Sequence, residues 1–278
     1  MSHRRRSEAR ISIASEVAFL KGESRPDKPN EDWALADDKQ AIYIVCDGVT
    51  RTAAEGRYPV PSPAASAAKI AAEAVMDYLS SRTGCGNPQQ KLEAGIAVAN
   101  DALAAFNREK FPIVDYFEND FAGTVIAVVL ICGSTLHYGY VGDCTVRIAR
   151  QGQVICLTPP QTEKVREYRQ RFGYLPASTI TIRRDFRNNL SSPYAYGCLT
   201  GQGEALGFIV TGCFDLLEGD VVFVASDGVE RAFDASQASL GARTAAEIVG
   251  QAAMLEGHHA PDSDDKTLIR IATMRPLG

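Results

Sequence analysis

The sequence predicts an α+β layered fold with two antiparallel sheets in its middle. Long apolar, β-branched runs separated by turn signals point to the sheets. Two segments of helical period, one rich in alanine, point to helices that pack on them. No repeat, low-complexity tract or linker divides the chain, so one compact unit is expected.

Residues 1–10 carry Arg4, Arg5, Arg6 and Arg10 with almost nothing apolar, which predicts a disordered basic tail. From Ile11 to Leu20 the pattern ISIASEVAFL alternates as a strand does, then meets a loop, KGESRPDKPNEDW, broken by a glycine and two prolines. Residues 41–46, AIYIVC, read as a strand buried on both faces. After Asp47-Gly48 prolines at 59, 61 and 63 interrupt any regular structure, until Ser62-Pro63 supplies a cap and first-turn pair for a helix. Lys69, Glu73 and Asp77 share one face of that helix, and its alanines allow close approach to a sheet. A second helix spans about 88–110, with Leu92, Ile96, Ala99, Leu103 and Phe106 as its apolar stripe. Between Phe121 and Leu157 four runs, TVIAVVLIC, TLHYGYVG, CTVRIAR and QVICL, predict an antiparallel meander with turns at 133–134, 142–143 and 151–152. Residues 159–172 read as a charged helix, and 173–203 carry no clear pattern. The run LEGDVVFVASDG predicts another buried strand, RTAAEIVGQAAMLEG a helix, and KTLIRIATM a closing strand.

Composition narrows the function. A formal charge of -5 and a pI near 5.5 disfavour nucleic acid or an anionic membrane as partner, since both would repel the chain. No apolar run reaches the length that spans a bilayer, and the polar start lacks a secretory core, so a cytoplasmic protein is expected. Seven cysteines are scattered singly, which predicts neither a disulfide framework nor a thiolate zinc site. The four histidines form no plausible catalytic set.

The acids are the informative residues. Asp47 follows AIYIVC, Asp143 follows LHYGYVG, Asp227 follows VVFVAS, and Asp265 precedes KTLIRI. Each alone reads as turn chemistry, because Asp-Gly is a strong hairpin signal. A hairpin turn, however, should lead straight into a returning strand. Asp47-Gly48 leads into a proline-rich loop and a helix, and Asp227-Gly228 into VERAFD, a short helical turn. The segment DSDDK lacks the glycine and closing glutamate of a calcium loop. Unpaired carboxylates converging from strand ends repel one another unless cations neutralise them, and hard oxygen donors select magnesium or manganese.

The order Asn30-Glu31-Asp32, Asp47-Gly48, Gly123-Thr124, Val141-Gly142-Asp143, Leu157-Thr158, Ser226-Asp227-Gly228 and Asp265-x-Thr267 resembles the metal-dependent protein serine/threonine phosphatases of type 2C, especially their bacterial branch. Seven short motifs in one order, from about Ile11 to Met274, make the resemblance specific. It implies a four-layer α-β-β-α sandwich with two central antiparallel sheets, residues 11–278 being a single catalytic domain. It implies two Mn2+ or Mg2+ ions, with Asp47 bridging them and the Gly48 carbonyl, Asp227 and Asp265 completing the inner ligands. Glu31 and Asp32 would act directly or through water, and Asp143 with Asp227 would offer a weaker third site. The implied reaction is hydrolysis of phosphoserine or phosphothreonine in proteins by a metal-activated water, with Asp47, Asp227 and Asp265 at its centre. A phosphorylated protein would be the substrate and a cognate Ser/Thr kinase a partner.

This chain departs from the family's pattern at several positions. Arg25, six residues before Glu31, is the candidate for phosphate binding, with Arg51 or Arg57 in the long loop as alternatives. Cys144 stands where the family has serine. Lys266 stands where the family has asparagine; turned inward it would compete with a metal, turned outward it would matter little. These departures motivate an alternative reading, a catalytically inactive relative that binds phosphoproteins or regulates an assembly. A two-metal hydrolase of nucleotides or other phosphoesters is a third.

Overall fold

The computed structural model describes residues 11–23, 27–49, 58–81, 86–113, 115–174, 179–235, 237–257 and 263–274. The predicted basic tail, residues 1–10, lies outside them. One sheet is built from β1 (Ser12–Leu20), β10 (Lys266–Met274), β9 (Val221–Ala225), β6 (Thr145–Arg150) and β7 (Gln153–Cys156), in that order. The other runs β2 (Trp33–Asp37), β3 (Ile42–Gly48), β4 (Thr124–Cys132), β5 (Thr135–Val141), β8 (Val210–Asp215). Every pairing is antiparallel.

The layering follows from side-chain alternation. Along β3, Tyr43 and Val45 point between the sheets, where they meet Val125, Val146, Val222, Val224, Ile269 and Ile271. Ile42, Ile44 and Cys46 point the other way, under α1 (Pro63–Ser80) and α2 (Pro88–Lys110). The outer face of the first sheet packs Phe223, Ala225 and Leu268 against α5 (Glu230–Ala235) and α6 (Ala245–Glu256). The expected α-β-β-α sandwich is therefore present.

Helix starts obey their caps. Ser62 accepts from the Ala65 amide with Pro63 in the first turn, and Ala64, Ala67, Ala68, Ala71 and Ala72 form the buried face of α1. Asn87 caps α2 through the amides of Gln89 and Gln90. Thr244 and Glu247 form a reciprocal capping box on α6. The charged segment forms α3 (Glu163–Phe172), which buries none of its residues, and a short α4 (Thr179–Asp185) lies in the stretch without clear pattern.

The expected meander is corrected. β4 and β5 pair in one sheet and β6 and β7 in the other, so the turn at Gly142-Asp143 passes the chain from sheet to sheet. Gly142 sits at φ +90, and a Cβ there would lie 2.2 Å from Val125 Cγ1. Only glycine fits so tight a left-handed crossing. Two strands escaped the sequence reading: β2 and β8 are the edges of their sheet, short and half exposed.

Candidate active site

Parity places Asp47 at the site. It ends β3 on the same face as Tyr43 and Val45, so its carboxyl group enters the gap between the sheets where the core stops. The Thr124 hydroxyl donates to the Asp47 carbonyl at 2.6 Å, and the Gly48 amide donates to the Glu31 carbonyl at 3.2 Å. From the opposite sheet, β9 runs into Ser226 and Asp227. Ser226 Oγ donates to Asp32 Oδ2 at 2.7 Å and accepts from the Thr267 amide at 3.0 Å. That relay ties the loop after β1 to the ends of β9 and β10.

Asp143, Asp227 and Asp264 line one cavity of about 280 Å³, together with Thr162, Arg166 and Arg231. Asp143 stands on the sheet-crossing turn, which Gln161 braces: its Oε1 accepts from the Gly142 and Gly197 amides, both at 3.0 Å.

The electrostatics show negative charge gathered beyond what the protein neutralises. Burial pushes Asp47 well above the usual carboxylate range, and Asp32, Asp227, Asp264 and Asp143 push it further. Asp32 is raised to about 7 by burial, offset in part by the Ser226 hydroxyl. Asp227 opens to the cleft yet is walled on most sides; burial, then Asp143, Asp264 and Asp32, push it up to about 8. Burial raises Asp143 as well, eased by a hydrogen bond with Thr162 and by Arg166. The donor set is therefore all oxygen and short of positive charge, which suits a hard divalent ion. Among the described residues no three acidic side chains yet close around a single point as a finished cage would.

Two sequence expectations change here. Asp265, expected to face the cleft, is fully buried and turned away: its Oδ1 accepts from the Gly22 amide at 2.8 Å and its Oδ2 from the Glu31 amide at 2.8 Å. The Lys28 ammonium lies 2.9 Å from the same Oδ2. Its neighbour Asp264 is the acid that joins Asp47, Asp143 and Asp227. Lys266 neither competes in the cleft nor points to solvent. Its buried Nζ pairs with Glu256 and donates to the Asp264 carbonyl at 2.8 Å.

Glu31 is buried at the rim. Tyr58 and Ser62 both donate to its Oε1, and Lys28 Nζ lies 3.2 Å from its Oε2. Cys144 is buried in the inter-sheet core, its thiol raised well above the ordinary range by burial and then by Asp47 and Asp143, as an inert packing residue should be. Arg25, Arg51 and Arg57 lie outside the described residues. Sequence reasoning passed over Lys28, Arg166 and Arg231. The last two sit in charged segments that read as solvated faces, and only their place on the cavity wall distinguishes them.

Among the solved structures that share this fold are serine/threonine phosphatases. The catalytic domain of PstP, solved with two manganese ions, is 17% identical with a TM-score of 0.64, covering 95% of this chain and 99% of that one. PppA, a regulatory component of type VI secretion in Pseudomonas aeruginosa, is 17% identical with a TM-score of 0.63, covering 95% and 99%. Human protein phosphatase 1F is 28% identical over 156 residues, a match spanning 50% of this chain and 33% of the human protein. The family description Protein phosphatase 2C matches residues 21–238. The chain belongs to the protein phosphatase 2C family. Among the described residues no helix is long and apolar enough to cross a membrane.

Proposed function

We propose that this chain removes phosphate from phosphoserine and phosphothreonine in proteins, residues 11–278 acting as one catalytic unit in the cytoplasm. Two Mn2+ or Mg2+ ions would be held by Asp47, the Gly48 carbonyl, Asp227 and Asp264, with Asp32 beside them and Asp143 offering a weaker third position. The manganese-bound PstP domain, of the same fold, supports this reading. The observation that carries it is that Asp143, Asp227 and Asp264 line one cavity while burial and neighbouring carboxylates hold Asp47 and Asp227 above their ordinary range, which marks where positive charge is required. Bound ions of this kind acidify a water to near neutral pH and clamp the phosphoryl oxygens, so no covalent intermediate on the enzyme is needed.

The chain's own residues supply position. Ser226 holds Asp32, and Thr162 and Gln161 hold the Asp143 turn. Arg166 and Arg231 stand on the cavity wall where a phosphoryl group would enter. Glu31, fixed by Tyr58 and Ser62, shapes the rim. A cognate kinase would supply the phosphorylated protein.

The test is manganese-dependent hydrolysis of a phosphothreonine peptide. Asp47→Asn, Asp227→Asn and Asp264→Asn should each lose at least about a hundredfold in kcat/KM, on the order of 3 kcal/mol of transition-state stabilisation. Equal rates in wild type and these variants would defeat the reading. Failure of the wild type to bind manganese by calorimetry would favour the inactive relative.

A further inference from the structure

We propose that Lys28 is a built-in counter-cation of the cleft: it holds Asp264, Asp265 and Glu31 in place before a metal ion arrives, and it yields Asp264 to that ion. The inference rests on the metal-dependent reading above.

Lys28 is only 4% exposed, an unusual burial for a lysine unless paired. Its Nζ lies 2.9 Å from Asp265 Oδ2, 3.2 Å from Glu31 Oε2 and 3.6 Å from Asp264 Oδ1. The three contacts are not equivalent. Asp265 is also held by two backbone amides and Glu31 by two hydroxyls, and both side chains are 1% exposed. Asp264 is held least, by the amide of its own neighbour Asp265 at 2.8 Å and by Lys28. Its side chain is 49% exposed, its contact with Lys28 is the longest, and it lines the cavity shared with Asp143 and Asp227. It is therefore the carboxylate that can turn to an incoming ion while the other two keep Lys28 seated. Pro29 follows Lys28 directly and restricts the backbone that presents it.

The sign follows from charge. In the metal-free protein the ammonium relieves carboxylate repulsion and stabilises the fold. An ion held by Asp264 would face a like charge in the same ammonium, which lies 3.6 Å from that carboxylate, and the ammonium would weaken its binding. Lys28→Met keeps the stem and removes the charge; Lys28→Arg keeps the charge.

Manganese titration by calorimetry, paired with thermal melts in chelator and in excess manganese, decides the matter. Lys28→Met should bind manganese about tenfold tighter than wild type, melt lower than wild type in chelator, and gain more from manganese. Lys28→Arg should stay within about twofold of wild type. A purely structural lysine would lower both melts alike and leave affinity unchanged or weaker, and that result overturns the inference. If Lys28→Met is unfolded in chelator, manganese must refold it, and failure to do so also overturns it. A wild type that binds no manganese defeats the metal reading itself, whereas a binding wild type with an indifferent Lys28→Met defeats only this inference.

Discussion

A methyl group at position 48 would lie 2.6 Å from the Ala64 carbonyl oxygen and 2.7 Å from that of Glu31. Both are backbone atoms of elements that cannot yield separately, so Gly48→Ala should cost at least about 2 kcal/mol in urea unfolding and shift Asp47 with it. The same scale shows what a sequence hides. Asp264 and Asp265 are adjacent in DSDDK, and consecutive side chains of an extended chain leave on opposite sides. Which one faces the cleft depends on the Gly22 and Glu31 amides that claim Asp265, donors 243 and 234 residues away in the chain. The acidic segment was legible as site-forming, but its register was not.

Helix α1 joins stability to the site through one side chain. Ser62 Oγ caps the Ala65 amide and also donates to Glu31. Ser62→Ala should therefore lose the cap, about 1 kcal/mol, and leave a buried carboxylate short of a donor, for a larger total in denaturant melts and a weaker rim. Thr244→Ala on α6 is the contrast. It breaks a capping box remote from the cleft and should cost about 1 kcal/mol with hydrolysis unchanged. Strands buried on both faces, such as β3 and β9, announced themselves by continuous apolar runs. The edge strands β2 and β8 did not, because WALAD and VTGCFD need satisfy only one partner and stay half exposed. The β5 to β6 link looked like a hairpin because Gly142-Asp143 has turn chemistry; that the turn changes sheets is decided by Val125 and Gln161, which lie elsewhere in the sequence.

For the molecule as a whole, acidity is the lever. Asp32 and Asp227 have folded values of about 7 and 8, against about 3.9 for an aspartate in an unfolded chain. Groups raised in the folded state bind protons more tightly there, so their contribution is complete below about pH 4 and is lost as pH climbs through 7 and 8. Thermal scans in chelator should accordingly show a falling melting temperature between about pH 5 and 8, and Asp227→Asn should flatten the fall. An unchanged slope in that variant would show that the strain lies elsewhere.

Asp47 closes a strand of one sheet, and Asp227 follows a strand of the other. Whatever sits between them is a rivet through both halves of the sandwich. Its removal should loosen distant backbone everywhere at once, so a protease would find new cuts far from the cleft as readily as beside it.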